Sequence, residues 1–177
     1  SDVVGFLFTN NITRKATHRG TDAHTLIEEY LNNVDPKEMT KVLPLSEYLF
    51  KQAKPTLDRI DNILCQEQAL FSYQIGVAGS VDCVAEFDGE LAIIDFKTSA
   101  KPKPREWIED YFVQCAAYAC MLYEMKGTTV KKFVIIMTCE NGDVEVYEEY
   151  DKAKYIRLLS DFVREFVNFK LQEYAKA

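Results

Sequence analysis

Asp95 and Lys97 stand two residues apart in LAIIDFKTS (91–99), and Asp82 stands just upstream in GSVDCVAEF (79–87). All three interrupt apolar runs. Two carboxylates can hold a hard divalent cation such as Mg2+ or Mn2+. A lysine beside them can orient a water or stabilise negative charge developing at phosphorus. That chemistry needs the three side chains on one face of one structure.

The dipeptide Asp88-Gly89 supplies the means, because it reads as a two-residue hairpin loop. With that loop Phe87 faces Glu90, and every cross-strand couple has positions summing to 177. Strand alternation puts Leu91, Ile93, Asp95 and Lys97 on one face and Ala92, Ile94 and Phe96 on the other. On the partner, Ser80, Asp82, Val84 and Glu86 share a face, opposite Val81, Cys83, Ala85 and Phe87. Asp82 then meets Asp95 and Ser80 meets Lys97, while Cys83 meets Ile94 and Val81 meets Phe96. The carboxylates would stand about 4.5–5.5 Å apart at Cβ, where like charges destabilise the pair. A shared proton or a cation between them relieves the repulsion. The competing reading is a solvated polar patch at a sheet end. The apolar neighbours weigh against it, since burying unused charge is expensive.

The elements that must position this hairpin follow from periodicity. Thr21 reads as an N-cap for a helix carrying Ala23, Leu26, Ile27, Tyr30 and Leu31, which ends near Asn32-Asn33 and Asp35-Pro36. Residues 44–63 read as one or two helices with Pro55 breaking or restarting them, and residues 66–75 as a strand. After the hairpin, Lys101 to Pro104 (KPKP) is an extended linker. Residues 105–126 carry a helical stripe through Trp107, Tyr111, Cys115 and Leu122. KKFVIIMT (131–138) is a buried strand, ENGD (140–143) a turn and VEVYEEY its return strand. The last 26 residues form an amphipathic helix through Tyr155, Leu158, Leu159, Phe162, Phe166 and Phe169. The order α–(α)–β–β–β–α–β–β–α predicts one α/β domain over 1–177 with a mixed sheet. Residues 1–18 carry no clear signal.

At 177 residues, 47% hydrophobic and 12% aromatic, the chain is long and apolar enough to bury a core. No apolar run reaches the roughly 20 residues of a membrane span, so no membrane partner is expected. The start lacks a basic segment leading into an apolar one, so no signal peptide is expected. The five cysteines, 65, 83, 115, 120 and 139, form no CxxC pair. They read as small buried hydrophobes in a reducing compartment rather than a disulfide framework or zinc ribbon. A net charge of −7 argues against unspecific nucleic-acid binding over the whole surface. It leaves room for a local basic groove, and KTSAKPKPR (97–105) has four basic residues and no acid.

The ordered set of His24 in RGTDAHTLIEEY, Gly79-x-x-Asp82, Asp95-x-Lys97 and Gln114-x-x-x-Tyr118 resembles the RecB-type nucleases of the PD-(D/E)xK superfamily. Within that group it is most similar to the mitochondrial genome maintenance exonucleases and their phage relatives. The resemblance runs from about Gly20 to Tyr123. It implies a restriction-endonuclease-like core, with a central mixed sheet flanked by helices. It also implies a metal-dependent deoxyribonuclease cutting single-stranded DNA from its ends. His24, Asp82, Asp95 and the Phe96 carbonyl would bind Mg2+ or Mn2+, and Asp82, Asp95 and Lys97 would be catalytic. Gln114 and Tyr118 would lie beside the site, helping hold Lys97 or the DNA backbone. Ser80, Thr98, Ser99, Lys101 and Lys103 would support the site or DNA, and Glu67 stands where some members carry an acid. Read without the resemblance, His24 is as well explained as a core histidine, and Gln114 and Tyr118 as helix packing.

Some members carry an iron–sulfur cluster through a cysteine trio near the C-terminus. Here the 38 residues after Cys139 hold no cysteine, so no cluster is expected. Two alternatives stay open: a flap-cleaving or sequence-independent endonuclease of the same superfamily, and a silent DNA- or protein-binding module on a nuclease fold. Replication or recombination proteins are the partners such an enzyme implies. The location expected is the cytoplasm of a bacterial or phage-infected cell rather than a mitochondrion.

Overall fold

The central hairpin closes where its turn residues dictate. Asp88 and Gly89 both take positive φ, 51° and 82°, as a two-residue turn matching strand twist requires. Arg59 clamps the turn from outside, through paired hydrogen bonds to the Asp88 carboxylate at 3.0 and 2.6 Å. From Phe87–Glu90 to Cys83–Ile94 the pairing follows the predicted register.

Around the hairpin, a computed structural model describes residues 18–177, with side chains from Asp22 onward. Helix α1 is His18–Leu31 and α2 is Pro44–Leu57; strands β1, Ile60–Ser72, β2, Val77–Phe87, and β3, Glu90–Ser99, form a meander. A 3-10 turn at Arg105–Trp107 leads into α3, Glu109–Lys126; β4, Lys132–Cys139, β5, Val144–Glu149, and α4, Lys152–Lys176, complete the chain. The sheet order is β1-β2-β3-β4-β5, antiparallel except for the parallel β3–β4 pair. This is the mixed sheet flanked by helices that the sequence predicts. The parallel step needs the long crossover that α3 supplies.

Each sheet face carries its own core. Under α3 and α4 lie Val84, Ile93, Phe112, Phe133, Ile135 and Tyr155. Under α1 and α2 lie Leu26, Ile27, Phe50, Cys83, Ile94 and Phe96. β3 is sandwiched between them, and residues 92–96 are all buried. A charge on this strand therefore has little water to fall back on.

Several boundaries differ from the sequence reading. α1 reaches back past Thr21, which lies inside the helix rather than capping it; an interior threonine costs only about 0.5 kcal/mol. The helical reading of 58–63 was too long, since β1 begins at Ile60, earlier than the 66–75 strand expected. Pro55 sits in the last turn of α2 and interrupts nothing essential, while Pro44 starts the helix, where a missing N–H is harmless. A register shift between Asp61 and Cys65, with Asn62 at φ 46°, bends the early part of β1. Trp107 precedes α3 in the 3-10 turn and is 71% exposed, so it leaves the predicted stripe. On α4 only Tyr155 and Leu159 are buried; Phe169 is exposed.

All five cysteines are free, with Cys83, Cys115 and Cys139 buried. Burial pushes the Cys83 and Cys115 thiols up, so they remain thiols, the inert form.

Candidate active site

The hairpin stops being a hairpin at Asp82. The β2–β3 ladder ends at Cys83–Ile94. In a continued ladder the Phe96 N–H would donate to the Val81 carbonyl, by the alternation that begins at the turn. It donates instead to the Asp82 carboxylate, Oδ2, at 2.9 Å. The side chain has taken the place of the neighbouring strand's backbone. The predicted Val81–Phe96 couple is lost accordingly: Val81 packs in the core under α3, and Phe96 in the core under α1.

On the other side β2 stays in register with β1 past this residue, pairing Gln66 with Cys83 and Gln68 with Val81, so Glu67 stands across from Asp82. Glu67 takes φ 46°, a left-handed conformation that non-glycine residues seldom adopt. Glu67 thus lies within the first strand of the meander rather than ahead of it, opposite Asp82. Strain of this kind gathers at functional sites.

Into this gap come side chains from both layers. His24 of α1 places Nε2 3.2 Å from Asp82 Oδ2 and packs edge-on against Phe96, 6.1 Å between ring centres. It shares an inward face with Ile27, as its helical spacing predicts. Asp82 and Asp95 are each only 2% exposed. Asp95 Oδ2 lies 2.8 Å from Lys97 Nζ. It nevertheless lacks a well-directed hydrogen bond among the described residues, and is a buried, under-satisfied oxygen.

Lys97 is held from three directions. Besides Asp95, its ammonium donates to Gln114 Oε1 at 3.1 Å and lies 4.7 Å from the centre of the Tyr111 ring. The Gln114 amide in turn donates to the Tyr118 hydroxyl at 3.1 Å, one turn along α3. Tyr118 therefore fixes which way Gln114 points. The Tyr111 contact is the one that sequence reasoning missed; its place three residues before Gln114 on the same helix face is the signal that could have found it.

The electrostatics follow from burial. Desolvation pushes the Asp95 carboxyl up to about 6, with the Asp82 charge adding to the rise and Lys97 opposing it. Burial alone would lower Lys97, but the Asp95 and Asp82 carboxylates outweigh it and hold the ammonium above its ordinary value. The lysine is charged at neutral pH.

The remaining predicted residues are spread more widely. Ser80 pairs with Ala69 on β1, two residues before Asp82. Thr98 and Lys101 are exposed, and the Ser99 hydroxyl donates to the Lys101 carbonyl at 2.8 Å. Lys103 Nζ donates to the Tyr111 hydroxyl at 3.2 Å, which brings it beside the ring that Lys97 touches. The Phe96 contact in the structure is through its N–H, as above.

The donor chemistry suits a divalent cation: two buried carboxylates, one with an unsatisfied oxygen, and an imidazole bonded to the other. Among the described residues no three His, Cys, Asp or Glu side chains stand converged as a finished cluster. The fit therefore rests on the two buried carboxylates and on Asp95 Oδ2, which has an ion pair to Lys97 but no well-directed hydrogen bond.

A buried Asp, Asp-x-Lys trio on the central strands of a mixed sheet, with helices on both faces, defines a nuclease class. The chain belongs to the PD-(D/E)XK nuclease superfamily, which it matches over residues 7–175. It is 33% identical over 169 residues to the human mitochondrial genome maintenance exonuclease 1, covering 88% of this chain and 48% of that protein. The Xenopus tropicalis protein of the same name is 34% identical over 103 residues, 56% of this chain and 29% of that one. This chain thus spans about half the length, or less, of these relatives. In fold it resembles a crystal structure from Eubacterium rectale described as that of a candidate exonuclease. The TM-score is 0.53 at 15% identity, over 85% of this chain and 65% of that one.

Proposed function

We propose that this chain is a divalent-metal-dependent exonuclease that hydrolyses phosphodiester bonds in single-stranded DNA. The observation that carries the proposal is the buried acid pair at the broken ladder, with one oxygen of Asp95 under-satisfied beside a charged Lys97. His24, Asp82 and Asp95, with the Phe96 carbonyl, would hold Mg2+ or Mn2+. Such an ion, when bound, neutralises a scissile phosphate and lowers the pKa of a water.

The chain's own residues do the rest. Lys97 presents an ammonium already oriented by Gln114, Tyr118 and Tyr111, so no reorganisation is needed as negative charge builds at phosphorus. The same ammonium is placed to position a water. His24 and the Phe96 N–H fix the Asp82 carboxylate between the strands. Thr98, Ser99, Lys101 and Lys103 continue from the site along one basic segment, and exposed Trp107 offers a ring on which a base can stack. Glu67 and Ser80 flank the site on the β1–β2 side.

A digest of labelled oligonucleotides tests the proposal. Linear single strands labelled at either end are expected to shorten progressively with Mg2+, and duplexes and closed circles to resist. Circles cut as fast as linear strands would make the enzyme an endonuclease instead.

A further inference from the structure

Two lysines share the ring of Tyr111. Lys97 Nζ lies 4.7 Å from its centre and Lys103 Nζ 5.7 Å from it, which caps the separation of the two ammoniums at about 10 Å. Lys103 also donates to the hydroxyl at 3.2 Å, so it stands off the hydroxyl end of the ring rather than over its face. The two charges are answered differently. Lys97 has Asp95 at 2.8 Å. The Lys103 ammonium makes its bond to the hydroxyl and no ion pair among the described residues. Arg105, the next base along the segment, is taken up by Glu149.

The backbone that carries Lys103 is fixed in advance. Pro102 and Pro104 flank it and restrict φ on either side. The Tyr147 hydroxyl of β5 donates to the Lys103 carbonyl at 2.6 Å. The Arg105 guanidinium donates to the Glu148 carbonyl at 3.1 Å and lies 4.9 Å from the centre of the Phe112 ring. The segment leaving β3 is thus strapped to β5 and α3. Holding a long side chain in one place costs rotamer entropy. Here that cost keeps an ammonium without a carboxylate turned back toward Lys97.

We infer that Tyr111 is a positioning residue that ties strand binding to the reaction: its ring holds Lys97 beside the acid pair, and its hydroxyl aims Lys103 at a backbone phosphate flanking the bond being cut. The inference rests on the nuclease reading above. Tyr111 touches no reacting atom; it acts through the two lysines. Ring and hydroxyl can be removed separately, so the two couplings are separable.

Single-turnover cleavage of end-labelled thymidine oligonucleotides with Mg2+ gives a saturated rate and a half-saturating concentration for each variant. Lys103→Gln is expected to raise the half-saturating concentration about fivefold and to lower its salt slope by about 0.7, the share of one phosphate contact. Tyr111→Phe keeps the ring and loses the hydroxyl. It should raise the half-saturating concentration about threefold, with a smaller fall in saturated rate. Added to Lys103→Gln, it should cost less than about twofold more, because both act on one contact. Tyr111→Leu loses the ring as well, and its saturated rate should fall about tenfold. A neutral methylphosphonate at one phosphate beside the cut bond should weaken wild type more than Lys103→Gln. Equal losses of saturated rate in Tyr111→Phe and Tyr111→Leu overturn the inference. So do Tyr111→Phe and Lys103→Gln effects that multiply, or Lys103→Gln with wild-type affinity and slope. The cycle between Tyr111→Phe and Lys103→Gln decides the matter even where Tyr111→Leu does not fold. Wild type that neither binds nor cuts the strand overturns the nuclease reading and the coupling with it, a result distinct from variants that match an active wild type.

Discussion

The two ends of the β2–β3 hairpin carry similar residues and put them to opposite use. At the turn, Asp88 is exposed, paired with Arg59 at 2.6 Å and held below its ordinary pKa by that hydrogen bond. The ladder beside it is regular. At the open end, Asp82 and Asp95 are buried, the β2–β3 ladder has ended, and burial pushes Asp95 up to about 6. The turn charges lock a structure in place. The open-end charges cost stability, and the fold tolerates them by strapping Asp82 to Phe96 and His24, and Lys97 to Gln114. A buried charge that breaks a sheet is better explained by chemistry than by architecture.

Substitutions at the two ends should separate these roles. Short of removing Asp95 itself, the largest effect is expected from Lys97→Met, which keeps the side chain's bulk and removes its charge. Single-turnover cleavage should fall by at least about a hundredfold, while circular dichroism stays unchanged. A rate within a few-fold of wild type would reduce Lys97 to a packing residue. Asp82→Asn comes next. The Asn oxygen still accepts from the Phe96 N–H, and the repulsion with Asp95 is gone, so metal-free stability should match or exceed wild type. Cleavage should drop by about tenfold to a hundredfold, with part regained at high Mg2+. A clear loss of stability without loss of activity would invert the comparison. The smallest effect belongs to Gly89→Ala at the turn. No atom lies within 4 Å of the added methyl, so only the positive φ opposes it. Urea unfolding should show a loss of about 1 kcal/mol, with kcat unaltered.

The regular end was legible in the sequence because its determinants are local. Asp88-Gly89 sets the turn, the turn sets the register, and period-two alternation sorts Ile93 from Ile94. The parallel crossover was legible from the length and stripe of α3. The open end was legible in composition but not in geometry. Alternation placed Asp82 opposite Asp95, yet nothing in the letters says that a carboxylate will replace a backbone carbonyl. Nor do they say that Glu67 will turn left-handed across from it. Both depend on how three strands and α1 settle their competing hydrogen bonds. Trp107 misled for a similar reason. Its spacing fits the α3 stripe, but the segment after Pro104 makes a 3-10 turn and aims the ring at solvent. His24 was ambiguous on helical spacing alone; its 3.2 Å approach to Asp82 comes from tertiary packing.

The most direct test of the central claim is the cleavage of an end-labelled single strand by wild type and Asp95→Ala, each with Mg2+ and with EDTA. The acid pair at the broken ladder predicts cleavage by wild type with Mg2+ only. It predicts a loss of at least about a thousandfold in a variant that still unfolds cooperatively. Cleavage by folded Asp95→Ala at the wild-type rate would contradict the account.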